Sequence, residues 1–511
     1  MKKMPLIFIL SISICYNLKA QDSSIVANIC SNFGSAFCSL DLRSSQFTID
    51  SMVGVDTVVY GLSTMPSDYK DVRYSLNSCG VSATTICETD GDSLYYQVYY
   101  PKKRGNVPIN YNNCKFPALI LFHGGSYDEC GSLYNPGIVF LANEYAKRGF
   151  VVFNVEYRRG VLIDPRKILT GPFAGTQYTS AQQLLAIYRA SQDARGAIRS
   201  IIKRQRNHSA SFSDDPYQID TNKLFVGGVS AGSIVAMNAV YYQKQFMIDA
   251  AYPGVSTALG SIDQNFYYGD PSVEYASLIK GLVNMWGAMI IPKDLYATPE
   301  DFFAYNDYMP PIISFCGKGD DIFTFDGEPI FLSPPPTTGI NVNTETNCLL
   351  TSSYTVPGTS TNIDLFQMGS ANIYDMFRRI GVPTEFYLDC TMMHGLDDDC
   401  NCPGQPDFKK NQERHNENDP LCISCVFDSD FGTILTNSDD VNIYMVGRGS
   451  TFFQGAMSPS NTLYNLNITK FIECRNDRHG CNPGDENECG TYYDTIGEQD
   501  LFNCDSWEAI N

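Results

Sequence analysis

A serine flanked by glycines is the residue of this chain best suited to covalent chemistry. Gly228-Val229-Ser230-Ala231-Gly232 follows an apolar segment at residues 223–229 and precedes a helical pattern at residues 231–242. A G-x-S-x-G pattern between a strand and a helix predicts a tight turn that strains the serine and exposes its Oγ at the carboxyl end of a sheet. The following helix directs its positive end at the same place. Ser230 is therefore a candidate nucleophile.

A glycine pair upstream could stabilise negative charge on a reacting oxygen. His123-Gly124-Gly125-Ser126 ends the apolar run at residues 116–122. Glycines let backbone N–H groups approach an oxyanion without interference from a Cβ atom. We expect Gly124, Gly125 and Ala231 to supply those donors, and His123 to shape the loop rather than to react.

A serine nucleophile also needs a base and an acid that orients the base. Of the five histidines, His394 follows a predicted strand at residues 384–388, whereas the remaining candidates lie in polar or charged segments: 208, 415 and 479. For the acid, a buried strand at residues 311–316 leads to Asp320, the first choice. Asp321 is the second and Asp326 the third. The expected order is therefore Ser230, Asp320, His394.

The surrounding chain alternates buried strands with helices. Such a pattern predicts an α/β fold with a mostly parallel central sheet covered by helices on both faces. The strands are predicted at 94–100, 116–122, 149–155, 223–229, 311–316 and 384–388, and the helices at 139–147, 180–206, 231–242 and 372–379. Aromatic-rich residues 243–276 suggest a cap, residues 327–370 suggest a loop insertion, and either 442–454 or 463–474 could supply a closing helix.

With these elements in place, the chain resembles the α/β-hydrolases of the carboxylesterase/lipase type over roughly residues 94–395. The resemblance rests on the motifs above together with Tyr157-Arg158, residues 192–199, Asp220, residues 317–320 and His394-Gly395. It implies hydrolysis of carboxylic esters through an acyl-serine intermediate, with no cofactor and no metal. Three departures leave the subfamily and the ester open: Ser126 replaces a third glycine, Val229 precedes the serine, and the acid and histidine are unusually far apart.

Charge and cysteines indicate the compartment. The 511 residues carry 36 Lys+Arg against 56 Asp+Glu, a net charge of −20, which argues against nucleic-acid binding. Residues 1–20 read as a signal peptide and no later segment reads as a membrane span. The 18 cysteines predict disulfides in an oxidising compartment, extracellular or, in a bacterium, periplasmic. Cys15 lies in the leader, so the odd number left predicts a free thiol, for which Cys316 is the candidate.

These observations predict a signal peptide at 1–20, a Cys-containing segment at 21–92, a catalytic domain at 93–475 and a Cys-rich tail at 476–511. The predicted partner is a small or polymeric ester, and the oligomeric state stays open.

Three alternatives are weaker. A serine peptidase of the prolyl-oligopeptidase type would share the triad, but the chain before residue 93 is too short for a propeller domain. A non-catalytic adhesion domain on this fold would typically lack the serine or the histidine. A zinc site could be formed by the cysteines at 400, 402, 422 and 425, although disulfides fit a secreted chain better.

Overall fold

A nine-stranded sheet forms the centre of the molecule. The computed structural model describes residues 45, 56–62, 72–74, 86–88, 93–104, 107–108, 115–125, 127, 133–158, 180–207, 217, 219–264, 269–292, 299–317, 320, 352–355, 362–389, 427–428, 433–434, 438–457 and 470–473, with short gaps at 105–106 and 265–268. The strands of this sheet are β1 (Asp56–Leu62), β2 (Ser93–Tyr99), β3 (Phe116–Phe122), β4 (Val151–Val155), β5 (Ile219–Val229), β6 (Ile279–Met285), β7 (Ile312–Gly317), β8 (Thr384–Asp389) and β9 (Lys470–Glu473).

The order of the strands places several carboxyl ends on one edge. The order is β1-β2-β4-β3-β5-β6-β7-β8-β9. Only β2 runs antiparallel to its neighbours β1 and β4, and all other pairs are parallel. The loops that follow β3, β5, β6, β7 and β8 therefore leave the sheet at the same edge, where a ligand site is expected in such a sheet.

Strands β3, β4 and β7 are buried along their whole length, as expected of a sheet whose two faces are covered by helices. The helices are α1 (Pro136–Lys147), α2 (Ser180–Asn207), α3 (Ala231–Tyr241), α4 (Gln245–Ala251), α5 (Val255–Leu259), α6 (Pro299–Phe303), α7 (Ser370–Arg379) and α8 (Ser438–Met457), with a 3₁₀ turn at Ala276–Leu278. Helix α1 packs against α8, and α2 packs against α3. All eleven residues of α3 are buried, as expected of a helix that is apolar on every side.

Smaller sheets lie outside this core. Met289–Pro292, Asn362–Met368 and Ser352–Thr355 form a three-stranded antiparallel sheet. Three two-stranded pairs complete the described strands: Val72–Tyr74 with Ile86–Glu88, Lys103–Arg104 with Val107–Pro108, and Phe427–Asp428 with Thr433–Ile434.

The mostly parallel α/β architecture is confirmed, and the structure refines three details of the prediction. The boundary at residue 93 falls inside the sheet, because β1 pairs with β2. Residues 327–370 are not only loop, since strands Ser352–Thr355 and Asn362–Met368 lie there. The segment 463–474 contributes β9 rather than a helix, and the closing helix is α8. The cap expected at residues 243–276 contains α4 and α5.

Candidate active site

Ser230 lies in a strained turn between β5 and α3. Its φ is 53° and its ψ is −122°, a region that costs a residue with a Cβ atom about 1–3 kcal/mol. Its backbone N–H donates to the carbonyl of Met285 over 2.8 Å, which ties the turn to the end of β6. The residue is 5% exposed, and its side chain does not cap α3. The turn predicted from the sequence is therefore present.

The glycines around Ser230 are required by close contacts between backbone segments. A Cβ atom on Gly228 would lie 2.5 Å from the backbone N of Ser233. A Cβ atom on Gly232 would lie 2.5 Å from the carbonyl carbon of Phe122 and still closer to two carbonyl oxygens. Real Cβ atoms essentially never approach within 3.0 Å of such neighbours. Only glycine at both positions lets α3 start directly against the end of β3.

The loop after β3 lies against the serine. A Cβ atom on Gly124 would lie 3.2 Å from the carbonyl oxygen of Val229 and 3.3 Å from Cβ of Ser230. Gly125 has φ 108°, a conformation that L side chains rarely adopt. The structure therefore places Gly124 beside Ser230, where the close approach favours glycine, and it gives Gly125 a positive φ that also favours glycine.

His123 supports this loop from within the core. It is fully buried, and its Nδ1 is 2.8 Å from the carbonyl oxygen of Gly124. Its ring stacks on Tyr157 at 4.2 Å, and Tyr157 donates a 2.7 Å hydrogen bond to the carbonyl of His123. Its Nε2 is 3.5 Å from Oε1 of Glu156, at the limit of hydrogen bonding. The carbonyl of Gly124 and the N–H of Gly125 belong to one trans peptide group and point in opposite directions. Because the carbonyl faces His123, the N–H of Gly125 points away from it.

Strand β7, which leads to the candidate acid, lies beside β6 at the same carboxyl edge of the sheet. The N–H of Trp286 donates to the carbonyl of Phe315 over 2.9 Å, so the ends of β6 and β7 are joined just as those of β5 and β6 are. Asp320 is the third residue after β7, is 2% exposed, and donates its N–H to the carbonyl of Gly317 over 3.2 Å. Asp320 therefore lies at the same edge as Ser230, as expected.

His394, Asp321 and Asp326 lie outside the described residues, as do Ser126 and the four cysteines at 400, 402, 422 and 425. The strand that precedes His394 is β8, and it shows where the chain leaves the sheet. Its last residue, Asp389, pairs with Gly317 at the end of β7. His394 comes shortly after Asp389. The strand that leads to the candidate base thus ends beside the strand that leads to the candidate acid.

Buried ion pairs hold the elements beneath the site. Arg158 binds Asp193 on α2 through its backbone N–H, Nε and Nη2, at 2.7–3.0 Å. Arg195, also on α2, donates through Nη1 to the carbonyls of Ala239 and Tyr242 at the end of α3. These bonds give a structural role to Asp193 and Arg195 of the segment 192–199, and those of Arg195 hold the end of the helix that begins after the serine.

Two residues at this edge were not singled out by the sequence pattern. Besides Ser230, only Tyr127 and Trp286 among the described non-glycine residues have positive φ, at 61° and 52°. Tyrosine and tryptophan do not favour this conformation, so residue type gave no signal. The only hint was that Tyr127 follows the Gly-Gly-Ser loop and Trp286 precedes a glycine.

Further features concern binding and redox chemistry. Cys316, the candidate for the unpaired thiol, is buried, and its Sγ lies 3.4 Å from the carbonyl oxygen of Gly317. Across the described portion of the chain, no group of three or more His, Cys, Asp or Glu side chains is arranged to hold a metal ion. No helix in that portion is long and apolar enough to cross a membrane.

The strand order and the serine turn after the fifth strand define the class: this chain has the α/β-hydrolase fold. In that fold the oxyanion hole is formed by the N–H of the residue after the nucleophile and by an N–H from the loop after the third strand. In this chain the loop after the third strand carries Gly124 and Gly125.

Comparison with known proteins gives remote similarities only. No family model matches the chain, and no curated protein matches it. Among solved structures, the chain is similar to EstE1, a thermophilic carboxylesterase cloned from a metagenomic library, with 12% identity over 86% of this chain and 98% of that one and a TM-score of 0.34. It is also similar to the Est2 esterase of Thermogutta terrifontis, with 15% identity, 67% and 91% covered and a TM-score of 0.32. A hyperthermophilic esterase from Pyrobaculum calidifontis has 14% identity, 78% and 92% covered and a TM-score of 0.30.

Proposed function

We propose that this chain is a secreted serine hydrolase that cleaves carboxylic esters through an acyl-serine intermediate. The observation that carries the proposal is the strained conformation of Ser230, φ 53°, with Gly124 packed against its Cβ atom. A stable fold gains nothing from such strain, which costs about 1–3 kcal/mol and is typical of sites that hold a reactive group in position.

The proposed first half-reaction forms an ester on the enzyme. Oγ of Ser230 attacks the carbonyl carbon of the substrate while His394 takes the hydroxyl proton. Asp320 fixes the imidazole tautomer and stabilises the imidazolium that forms. The tetrahedral intermediate then collapses, and His394 returns the proton to the departing alcohol. In the second half-reaction, water attacks the acyl-serine with His394 again as the base, which releases the acid and restores Ser230.

The charge that develops on the carbonyl oxygen needs preorganised donors. In the proposal these are the N–H groups of Gly124, Gly125 and Ala231. The position of Gly124 beside Ser230, the positive φ of Gly125 and the start of α3 at Ala231 support this assignment. The unpaired N–H groups at the start of a helix also favour negative charge there. Removing one such donor in serine hydrolases costs about 100- to 1000-fold in rate.

Secretion belongs to the same proposal. Lys2 and Lys3 precede an apolar run at residues 5–10, and Ala20-Gln21 is a plausible cleavage point. Expression of the full chain in a secreting eukaryotic host, followed by amino-terminal sequencing of the protein in the medium, is expected to give Gln21 as the first residue.

The activity is tested by replacing the nucleophile. Purified protein is assayed with p-nitrophenyl esters of increasing chain length, with feruloyl esters and triglycerides, and with a chromogenic peptide. We expect Ser230→Ala to lose about 10⁴-fold or more in kcat for the best ester and to lose labelling by a fluorophosphonate.

A buried serine elsewhere provides the matched control. Ser191 on α2 is fully buried, and its hydroxyl donates to the carbonyl of Ile187 over 2.8 Å. Ser191→Ala is expected to keep ester hydrolysis and labelling. Ester hydrolysis retained by Ser230→Ala would refute the nucleophile. Peptide cleavage without ester cleavage would favour a peptidase, and an unlabelled wild type would favour a binding domain.

A further inference from the structure

A buried tyrosine joins the loop after β3 to the start of α3. Tyr127 is 2% exposed, and its hydroxyl donates to the carbonyl oxygen of Ala231 over 2.9 Å. Ala231 directly follows the candidate nucleophile, and Tyr127 closely follows the glycine pair. The bond therefore connects two segments that each supply part of the proposed anion-binding site.

The bond to Ala231 is not needed to complete the helix. In a regular α-helix, the carbonyl of the first residue already accepts from the N–H four residues later. The Tyr127 hydroxyl is thus an additional donor to that oxygen. Tyr127 makes this bond from a backbone with φ 61°, which is unfavourable for a residue with a large side chain.

A second tyrosine fixes the other end of the same loop. Tyr157 donates to the carbonyl of His123 over 2.7 Å, and its ring lies 6.2 Å from the ring of Tyr127. The loop that carries Gly124 and Gly125 is therefore bounded by one tyrosine that holds its beginning to β4 and another that holds its end to α3.

We propose that Tyr127 is a positioning residue that sets the separation between the two parts of the oxyanion hole, Gly124 and Gly125 on one side and Ala231 on the other. This rests on the proposed ester hydrolysis. Burial, with the nearby hydroxyls of Tyr157 and Tyr252, raises the pKa of Tyr127 well above its ordinary value. The hydroxyl therefore stays protonated and remains a donor throughout the pH range of an esterase assay.

The test removes only the hydroxyl. Tyr127→Phe keeps the ring and loses the bond to Ala231. We expect kcat for p-nitrophenyl acetate to fall about tenfold while KM changes by less than about twofold, because a misplaced oxyanion hole weakens binding of the transition state more than binding of the ester. The second-order rate of fluorophosphonate labelling is expected to fall by a similar factor, since the phosphoryl oxygen occupies the same hole.

Tyr241 provides a closely matched control. It is also fully buried, and its hydroxyl donates to a backbone carbonyl, that of Pro310, over 3.0 Å. Tyr241→Phe removes an equivalent bond at the far end of α3, so it reports the loss of stability alone. We expect it to lower the melting temperature about as much as Tyr127→Phe does and to leave kcat and labelling within about twofold of wild type.

The outcomes separate this inference from the proposed function. Equal kcat and labelling rates in the two folded variants would overturn the positioning role, and so would a loss confined to KM. If wild type hydrolyses no ester but reacts with the fluorophosphonate, ester hydrolysis fails as the function while the labelling rates of the variants still decide the role of Tyr127. A wild type inert to both would overturn both.

Discussion

Replacing Gly232 by alanine tests the contact on which the whole site depends. A Cβ atom there would lie 2.5 Å from the carbonyl carbon of Phe122 and closer still to the carbonyl oxygens of Phe122 and His123, whereas ordinary contacts begin at 3.4 Å. The start of α3 and the end of β3 must therefore separate by at least about 0.9 Å. The opposing atoms belong to backbone and cannot rotate away. Overpacking of this kind costs about 1–3 kcal/mol in stability. Because a displacement near 1 Å in a catalytic array costs about 100-fold in rate, we expect kcat/KM for p-nitrophenyl acetate to fall by that factor.

Two measurements separate the effect on the site from the effect on folding. Urea unfolding gives the change in the free energy of unfolding, and the ester assay is run well below the melting temperature. Gly281→Ala on β6 is the control, because its Cβ would lie 3.2 Å from the ring of Phe453, which can shift by a few tenths of an ångström. We expect it to lose some stability and to keep activity within about twofold. Activity of Gly232→Ala within about threefold of wild type would refute the requirement for close contact between α3 and β3.

Two further predictions concern the stability of a buried ion pair and the accessibility of the Cys316 thiol. Burial alone would raise the pKa of Asp263, but hydrogen bonds and charges from Arg195 and Arg199 outweigh it and hold that pKa below its ordinary value. The stability from this group is therefore present above the ordinary carboxyl pKa and is lost as the pH falls through the lowered one. Asp263→Asn should lower the free energy of unfolding by about 2 kcal/mol near neutral pH and flatten its acid dependence in urea titrations. The control is Asp307→Asn, which removes an exposed ion pair with Lys244 and should cost less than about 1 kcal/mol. Equal losses of stability in the two variants would contradict this reasoning. The thiol of Cys316 is buried and should react with Ellman's reagent only after denaturation, so rapid labelling of the native protein that disappears in Cys316→Ala would contradict its burial.

Most of the sheet could be predicted because its strands carry their signal locally. β3 and β7 are short apolar runs that are buried on both sides, and the serine turn is encoded by glycines at fixed spacing. β6 was missed, although it lies beside β5, because Lys280, Gly281 and Asn284 interrupt its apolar pattern. The structure shows how the polar side chain of Asn284 is accommodated inside the sheet. The amide of Asn284 donates to the hydroxyls of Ser314 and Ser370 and accepts from the N–H of Gly287.

The two serine partners come from distant parts of the chain, so no local pattern could indicate that a polar residue belongs inside the sheet. The same limit applies to Tyr127. Its backbone conformation and its bond to Ala231 depend on two segments that meet only after folding. Local sequence thus predicts the candidate nucleophile and the glycines around it, while the residues that hold them in register are set by tertiary contacts.

The three strained residues provide a physical argument for where selection has acted on this chain. Tyr127, Ser230 and Trp286 follow β3, β5 and β6, which are consecutive in the sheet, and all three are buried. At about 1–3 kcal/mol each, their combined strain is comparable with a large part of the 5–15 kcal/mol that stabilises a typical domain. The strain persists because each residue is held by a hydrogen bond to another segment: Tyr127 to Ala231, Ser230 to Met285 and Trp286 to Phe315. A fold under selection for stability alone would not concentrate such costs at one edge, whereas the proposed site, in which a nucleophile is held against backbone donors, would require them there.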